Sequence, residues 1–448
     1  MTHSALPASP KAEPAPLTEP RYLLPFLLII SLFFLWAFGV NLNDILIPHL
    51  KRAFGLTDFQ SSFIQVAFFG GYFLAALPAG WVMERIGYKK GILFGLLLCA
   101  SGALLFLPAS SYGVYAFFLF ALFVMACGQS FLEVAANPYA TALGPSASAE
   151  RRLNFAQSFN ATGAVLSSIL GRTFILTGVE YAPAQLAAMS SAQLAAFRGS
   201  EASTVKGPYL AMAGIFLLLA VVFQFTHLPD VSEEGRENTT ALSRNYSGSI
   251  LSHKHLVRGV LAQFFYVGAQ VGVASFVIRL TQFSIPGTGA KLAAYCLLFH
   301  LIGFTAGRFI GSGLMKRVSA HWLLSLFAGA AFLCAAIVLL GSGVFPVSAV
   351  VLLGFFHSIM FPTIFALSIK DLGPLTKRGS SLLVMAIIGG AVFPAIMGRI
   401  SDAAGIQRAF LVPLLCYLYI LYFGVSGYKP APVSTLSGVP LESEGLSA

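Results

Sequence analysis

Residues 151–172 read RRLNFAQSFNATGAVLSSILGR, and residues 378–399 read RGSSLLVMAIIGGAVFPAIMGR. Each stretch opens on an arginine and closes on another 21 residues later, with Gly163-Ala164-Val165 in the first and Gly390-Ala391-Val392 in the second. The two are offset by 227 residues, about half of the 448-residue chain. Upstream, Pro138 and Pro362 repeat as well, allowing a three-residue adjustment. The chain is therefore organised as two similar halves.

Composition places those halves in lipid. Hydrophobic residues make up 57% of the chain and charged residues only 10%, against roughly a quarter charged in an ordinary soluble protein. No water-soluble core hides that much apolar surface. About twelve runs are long enough to cross a bilayer, each needing around 20 apolar residues. They are 22–50, 60–84, 91–109, 114–140, 154–177, 208–226, 255–283, 291–315, 320–341, 345–370, 380–401 and 407–427. The expectation is an all-α polytopic membrane protein with 12 transmembrane helices in two pseudo-symmetric six-helix halves, 22–226 and 255–427. Residues 1–21 read as a disordered tail rich in Pro and Ala, 227–254 as a polar central loop and 428–448 as a second tail. The first apolar run is too long for a signal peptide, so it reads as a retained span. The alanine-rich insertion at about 178–207 is expected to hold a short surface helix.

The net charge of +10 does not mark a nucleic-acid surface, because the basic residues sit in short groups between apolar runs. Arg85, Lys89 and Lys90, then Arg151 and Arg152, Lys316 and Arg317, and Lys370, Lys377 and Arg378 fall in alternate loops, while the opposite loops hold fewer. That bias puts both termini in the cytoplasm. The five cysteines lie inside apolar runs at no metal-ligand spacing, and no phosphate-binding, zinc or nucleophile motif appears. No enzymatic chemistry, metal or cofactor is expected.

A carboxylate at bilayer depth costs about 2.5–3.5 kcal/mol on insertion scales, so each one needs a reason. Of the 17 acidic residues, nearly all lie in tails, loops or helix ends; Asp44 in span 1 and Glu133 in span 4 do not. Gln129, Glu133 and Asn137 recur every four residues and share a helical face. Asn41 and Asp44 share another. Span 5 adds Gln157 and Asn160, and span 7 adds Gln263, Tyr266 and Gln270. Such stripes point to a common water-accessible cavity. Amides donate and accept hydrogen bonds as sugar hydroxyls do, and a carboxyl held in low dielectric can be carried neutral as well as charged. Polyol recognition coupled to a proton uses both properties. Asn and Gln also join membrane helices by hydrogen bonds, which is the competing reading for the amides.

His357 stands five residues before Pro362, as Glu133 stands five before Pro138. It is a candidate for sugar binding or proton relay, with packing as the alternative; for His300, packing is expected. The loop from Gly80 to Lys90 joins spans 2 and 3, and its Gly80, Glu84, Arg85, Gly87 and Lys89 form a candidate cytoplasmic gate. Gly303, Gly307 and Gly311 make a packing seam in span 8.

That loop is similar to the cytoplasmic signature of the major facilitator superfamily. Across residues 21–427 the chain resembles, more specifically, the bacterial L-fucose:proton symporters. The resemblance rests on Asn41-Leu42-Asn43-Asp44-Ile45-Leu46, Leu132-Glu133-Val134-Ala135-Ala136-Asn137-Pro138, Gln157-Ser158-Phe159-Asn160, Ala262 to Gln270 and Phe361-Pro362-Thr363-Ile364-Phe365. It implies proton coupling at Asp44 and Glu133, the latter near the sugar, with Gln157 and Asn160 as amides of the central cavity. The polar faces add Asn43, Asn137, Gln263, Gln270 and His357 as candidate binding residues, although the fucose permeases lack a histidine at the place of His357. It also implies a monomer in the bacterial inner membrane whose partners are a monosaccharide, a proton and the bilayer. Around Ser358-Ile359-Met360-Phe361 the chain is more similar to the related glucose/galactose permeases. The implied activity is import of L-fucose, galactose or glucose by proton symport. The alternative is a proton-coupled exporter, whose cavity would be more apolar and aromatic than these stripes.

Overall fold

The computed structural model describes residues 15–174, 185, 189–229 and 249–430, and every regular element among them is helical. Ten helical stretches among the described residues are long and apolar enough to cross a membrane. Two features relate that number to the twelve expected. Asp58–Tyr112 is one unbroken assignment of 55 residues except at Gly87 (φ 82°, ψ 171°). A straight helix of that length would run about 80 Å, so Gly87 is the turn between spans 2 and 3, in a conformation that a Cβ would strain. Span 5, Ala149–Phe174, has 26 residues but carries Glu150, Arg151, Arg152, Asn154, Gln157 and Asn160, and falls outside the ten.

The remaining spans are Leu23–Phe54 (1), Tyr115–Ala142 (4), Lys206–Phe225 (6), Lys254–Ser284 (7), Ala290–Leu314 (8) and Ala320–Leu340 (9). Span 10 comes in two pieces, Val344–His357 and Met360–Ile369. Span 11 comprises Thr376–Met385 and Gly389–Ala404 joined through a 3-10 turn at Ala386–Ile388, and span 12 is Leu411–Tyr422. Within the insertion, Ser191–Ser203 is the short helix; residues 175–184 and 186–188 lie outside the described residues, as do 230–248 of the central loop.

Packing repeats between the halves. Span 1 packs on span 5 and span 7 on span 11; span 2 packs on span 4 and span 8 on span 10; span 3 packs on span 6 and span 9 on span 12. Glycines allow close approach in the matching pairs of spans 1 and 5 and of spans 7 and 11. A Cβ on Gly163 of span 5 would stand 2.3 Å from the Phe34 carbonyl oxygen, and one on Gly389 of span 11 would stand 2.2 Å from that of Phe264. In the span 8 seam, a Cβ on Gly307 would strike Ser358 and the Phe355 carbonyl of span 10. The halves meet along spans 5 and 8 and along spans 2 and 11, again a repeated pair.

Within the stretch read as a disordered N-terminal tail, residues 15–18 are held by contacts with spans 4 and 5 and the turn between them. Arg151 and the fully buried Arg152 need acceptors for their guanidinium protons. They take the carbonyls of Ala15 (2.9 Å) and Leu17 (3.0 Å), while Ser148 donates to Pro16 (2.8 Å) and Thr18 to Leu143 (2.8 Å). Residues 1–14 and 431–448 lie outside the described residues.

Candidate functional site

Helical spacing puts Glu133 and Asn137 one above the other on span 4, and both are buried. Asn137 donates to the Glu133 backbone carbonyl (3.0 Å), and its amide stands beside the Glu133 carboxylate. Its own amide oxygen accepts from Gln157 Nε2 of span 5 at 2.8 Å. Three of the residues singled out by their polarity thus form one chain within the N-terminal half.

The C-terminal half answers with a cation. Arg308 of span 8 is 4% exposed and donates through Nη1 to the Gln157 backbone carbonyl and to its Oε1 (3.1 Å), with Asn160 Oδ1 at 3.5 Å. Its guanidinium lies 4.5 Å from the Phe304 ring centroid and attracts the Glu133 carboxylate. Its seat follows from the break in span 10. Pro362 has no N–H, and its ring excludes the carbonyl four residues earlier from the helical ladder. That carbonyl belongs to Ser358, and it accepts Arg308 Nε at 3.0 Å. The neighbouring His357 carbonyl accepts from Tyr266 Oη at 2.9 Å, and the Tyr266 phenol stands beside Arg308. The irregular backbone is satisfied by protein groups, as lipid depth requires.

The other candidates fall in different places. Asn160 also donates to the Phe33 carbonyl of span 1 (3.2 Å). Gln263 is fully buried with neither amide atom paired among the described residues, and so is Gln129; Gln270 is half-buried. His357 does not join Glu133. Its ring is enclosed within its own half, sharing a hydrogen bond with Tyr417 Oη and lying 5.9 Å from the His300 ring. His300 is tied to the Val350 carbonyl (2.8 Å). Asn43 and Asp44 fall on the helix of span 1, but their side chains lie outside the described residues.

At the face that carries the basic loops, the halves are pinned together. Glu84 pairs with Arg378 (2.6 Å) and Glu150 with Lys370 (3.8 Å). Closer to the centre, Asn154 donates to Thr363 (3.0 Å) and Ser312 to the Arg151 carbonyl (3.3 Å). Gly80 is where span 2 meets span 11, since a Cβ there would stand 1.9 Å from Ser381 Oγ. Arg85 lies on the Trp81 ring (3.7 Å), and Lys89 donates to the carbonyls of Gln224 and Thr226 (both 2.9 Å) at the end of span 6. Within the candidate gate motif, Gly80 and Glu84 reach the other half, Gly87 makes the turn, and Arg85 and Lys89 stay in their own half.

The model of the Major Facilitator Superfamily matches residues 28–387. The chain belongs to this superfamily. Among its relatives, a glucose/galactose transporter of Brucella abortus is 43% identical over 399 residues, covering 89% of this chain and 92% of the relative. An L-fucose-proton symporter of Escherichia coli is also 43% identical, over 405 residues, covering 90% and 92%. The crystal structure of the major facilitator transporter FucP in the outward conformation superposes with a TM-score of 0.81 at 42% identity, covering 90% of this chain and 98% of that one.

In this facilitator, sequence reasoning missed Arg308 and the opening of span 10. The signal for the first is present in the sequence: a guanidinium in the middle of an apolar run costs as much as a carboxylate. The second had Pro362 as its signal, but Pro138 stands at the matching place inside an unbroken helix.

Proposed function

We propose that this chain is a proton-coupled symporter that imports a monosaccharide, L-fucose or a similar hexose such as galactose or glucose, by alternating access. The observation that carries the reading is the polar chain Glu133–Asn137–Gln157–Arg308, which runs from an acid in one half to a cation in the other. With the basic face in the cytoplasm, the described contacts close the cytoplasmic side, so the halves stand in an outward-facing arrangement.

Sugar hydroxyls replace the amide-to-amide hydrogen bond between Gln157 and Asn137 and pair with Asn160 beside them, since all three amides both donate and accept. Ionised Glu133 attracts Arg308 across the interface. A proton taken from outside, at Glu133 together with Asp44, removes that attraction and frees the halves to rock about the site. Release of the proton inside restores it. Both acids act as carriers, and no cofactor beyond the coupling proton enters the cycle.

The test is uptake of labelled L-fucose, D-galactose and D-glucose into proteoliposomes carrying an imposed pH gradient. Accumulation of one of them, abolished when the gradient is collapsed, is the expected result. If no sugar accumulates under a proton gradient, the symport reading fails.

A further inference from the structure

Spans 11 and 12 both pack on span 7 but scarcely on each other. The gap between them is a groove of about 600 Å³ lined by Phe265, Phe393, Ile396, Leu415, Tyr419 and Tyr422, with Val412, Cys416 and Leu418 completing its wall. None of these residues belongs to the polar chain at the interface of the halves. From Val412 to Tyr422 it covers ten residues of helix, about 15 Å, or half of a hydrocarbon core about 30 Å thick. That is the depth of one leaflet.

One end is charged. Tyr419 Oη donates to the Arg258 carbonyl (3.4 Å), and the Arg258 side chain is close enough to interact with that phenol. Lys254, Arg258 and Phe265 fall at i, i+4 and i+11 on span 7, hence on one face. Phe265 lines the groove, and the two basic residues stand about 10 and 16 Å below it, towards the basic face. Tyr419 and Tyr422 occupy the same end, the level at which amphipathic rings mark a membrane interface.

We propose that this groove is a site for one anionic phospholipid of the cytoplasmic leaflet, an acyl chain lying between spans 11 and 12 and the phosphate at Arg258 and Lys254. Lipid tails gain little by leaving other tails, so the groove supplies shape and the basic residues supply selectivity. A basic residue at the surface is worth about 1 kcal/mol towards an anionic headgroup, a factor of about five.

The measurement is native mass spectrometry of the intact chain titrated with phosphatidylglycerol or phosphatidylcholine of the same acyl chains. One phosphatidylglycerol retained in preference to phosphatidylcholine is expected. Arg258→Gln should weaken that preference about fivefold, and Arg258→Lys should keep it. Leu415→Trp, which fills the groove, should lower retention of both lipids while the protein stays monodisperse. Equal retention of the two lipids, a preference untouched by Arg258→Gln, or retention untouched by Leu415→Trp would overturn the proposal. So would a dimer that covers the groove.

Discussion

Spans 4 and 10 hold matching places in the two halves, and each carries a proline at the corresponding position. Span 4 runs unbroken through Pro138 and presents Glu133 and Asn137 to the interface. Span 10 opens ahead of Pro362, and its freed carbonyls at His357 and Ser358 hold Tyr266 and Arg308. The side chain that aligns with Glu133, His357, is turned into its own bundle against Tyr417. One helix therefore works through its side chains and the other through its backbone. The lesson is that duplication preserved the packing of the halves while their chemistry diverged: the acid lies on one side of the interface and its counter-charge on the other.

The hardest blow to this division is Arg308→Gln. Leaving a buried charge without its partner costs about 3–5 kcal/mol, so gradient-driven uptake should fall about 100-fold or more in a variant that still elutes as folded, monodisperse protein. Uptake within threefold of the parent would mean that the cation is structural only. The two prolines test the contrast directly. Pro362→Ala returns an N–H that competes with Arg308 for the Ser358 carbonyl, and initial uptake rates should drop about tenfold. Pro138→Ala, inside a continuous helix, should change them less than threefold. Equal effects would erase the distinction between the two spans.

A smaller effect is expected at His357. His357→Phe removes one buried hydrogen bond, a loss of about 1–3 kcal/mol of stability, visible as a lowered Tm with transport kept within about threefold. Strong loss of coupling without loss of stability would return the imidazole to the proton path. Smallest of all is Glu84→Gln. The Glu84–Arg378 pair is partly exposed, and such pairs contribute about 0.2–1 kcal/mol. Cysteine labelling from the cytoplasmic side should rise no more than about fivefold.

The duplicated architecture was legible because hydropathy and the Arg–Gly-Ala-Val–Arg repeat are both written along the chain, and helix pairing follows from them. The polar faces of span 4 (Gln129, Glu133 and Asn137) and of span 5 (Gln157 and Asn160) were legible because helical spacing places side chains on a face before any packing is known. The cation was not, since Arg308 acts from the other half, 151 residues beyond Gln157. Nor does spacing say which way a ring turns: His357 and Glu133 share a register and face different neighbours. The docked segment at Ala15–Thr18 escaped notice for a related reason. Its composition reads as loose, and what fixes it is two distant arginines in need of acceptors.

The central claim is that the charge on Glu133, set against Arg308, couples the proton to the sugar. The most direct test compares two assays of Glu133→Gln, a variant that keeps the shape of the protonated acid. Sugar counterflow, which needs no net proton movement, should persist, whereas accumulation driven by a pH gradient should be lost. Undiminished accumulation by Glu133→Gln would contradict the account.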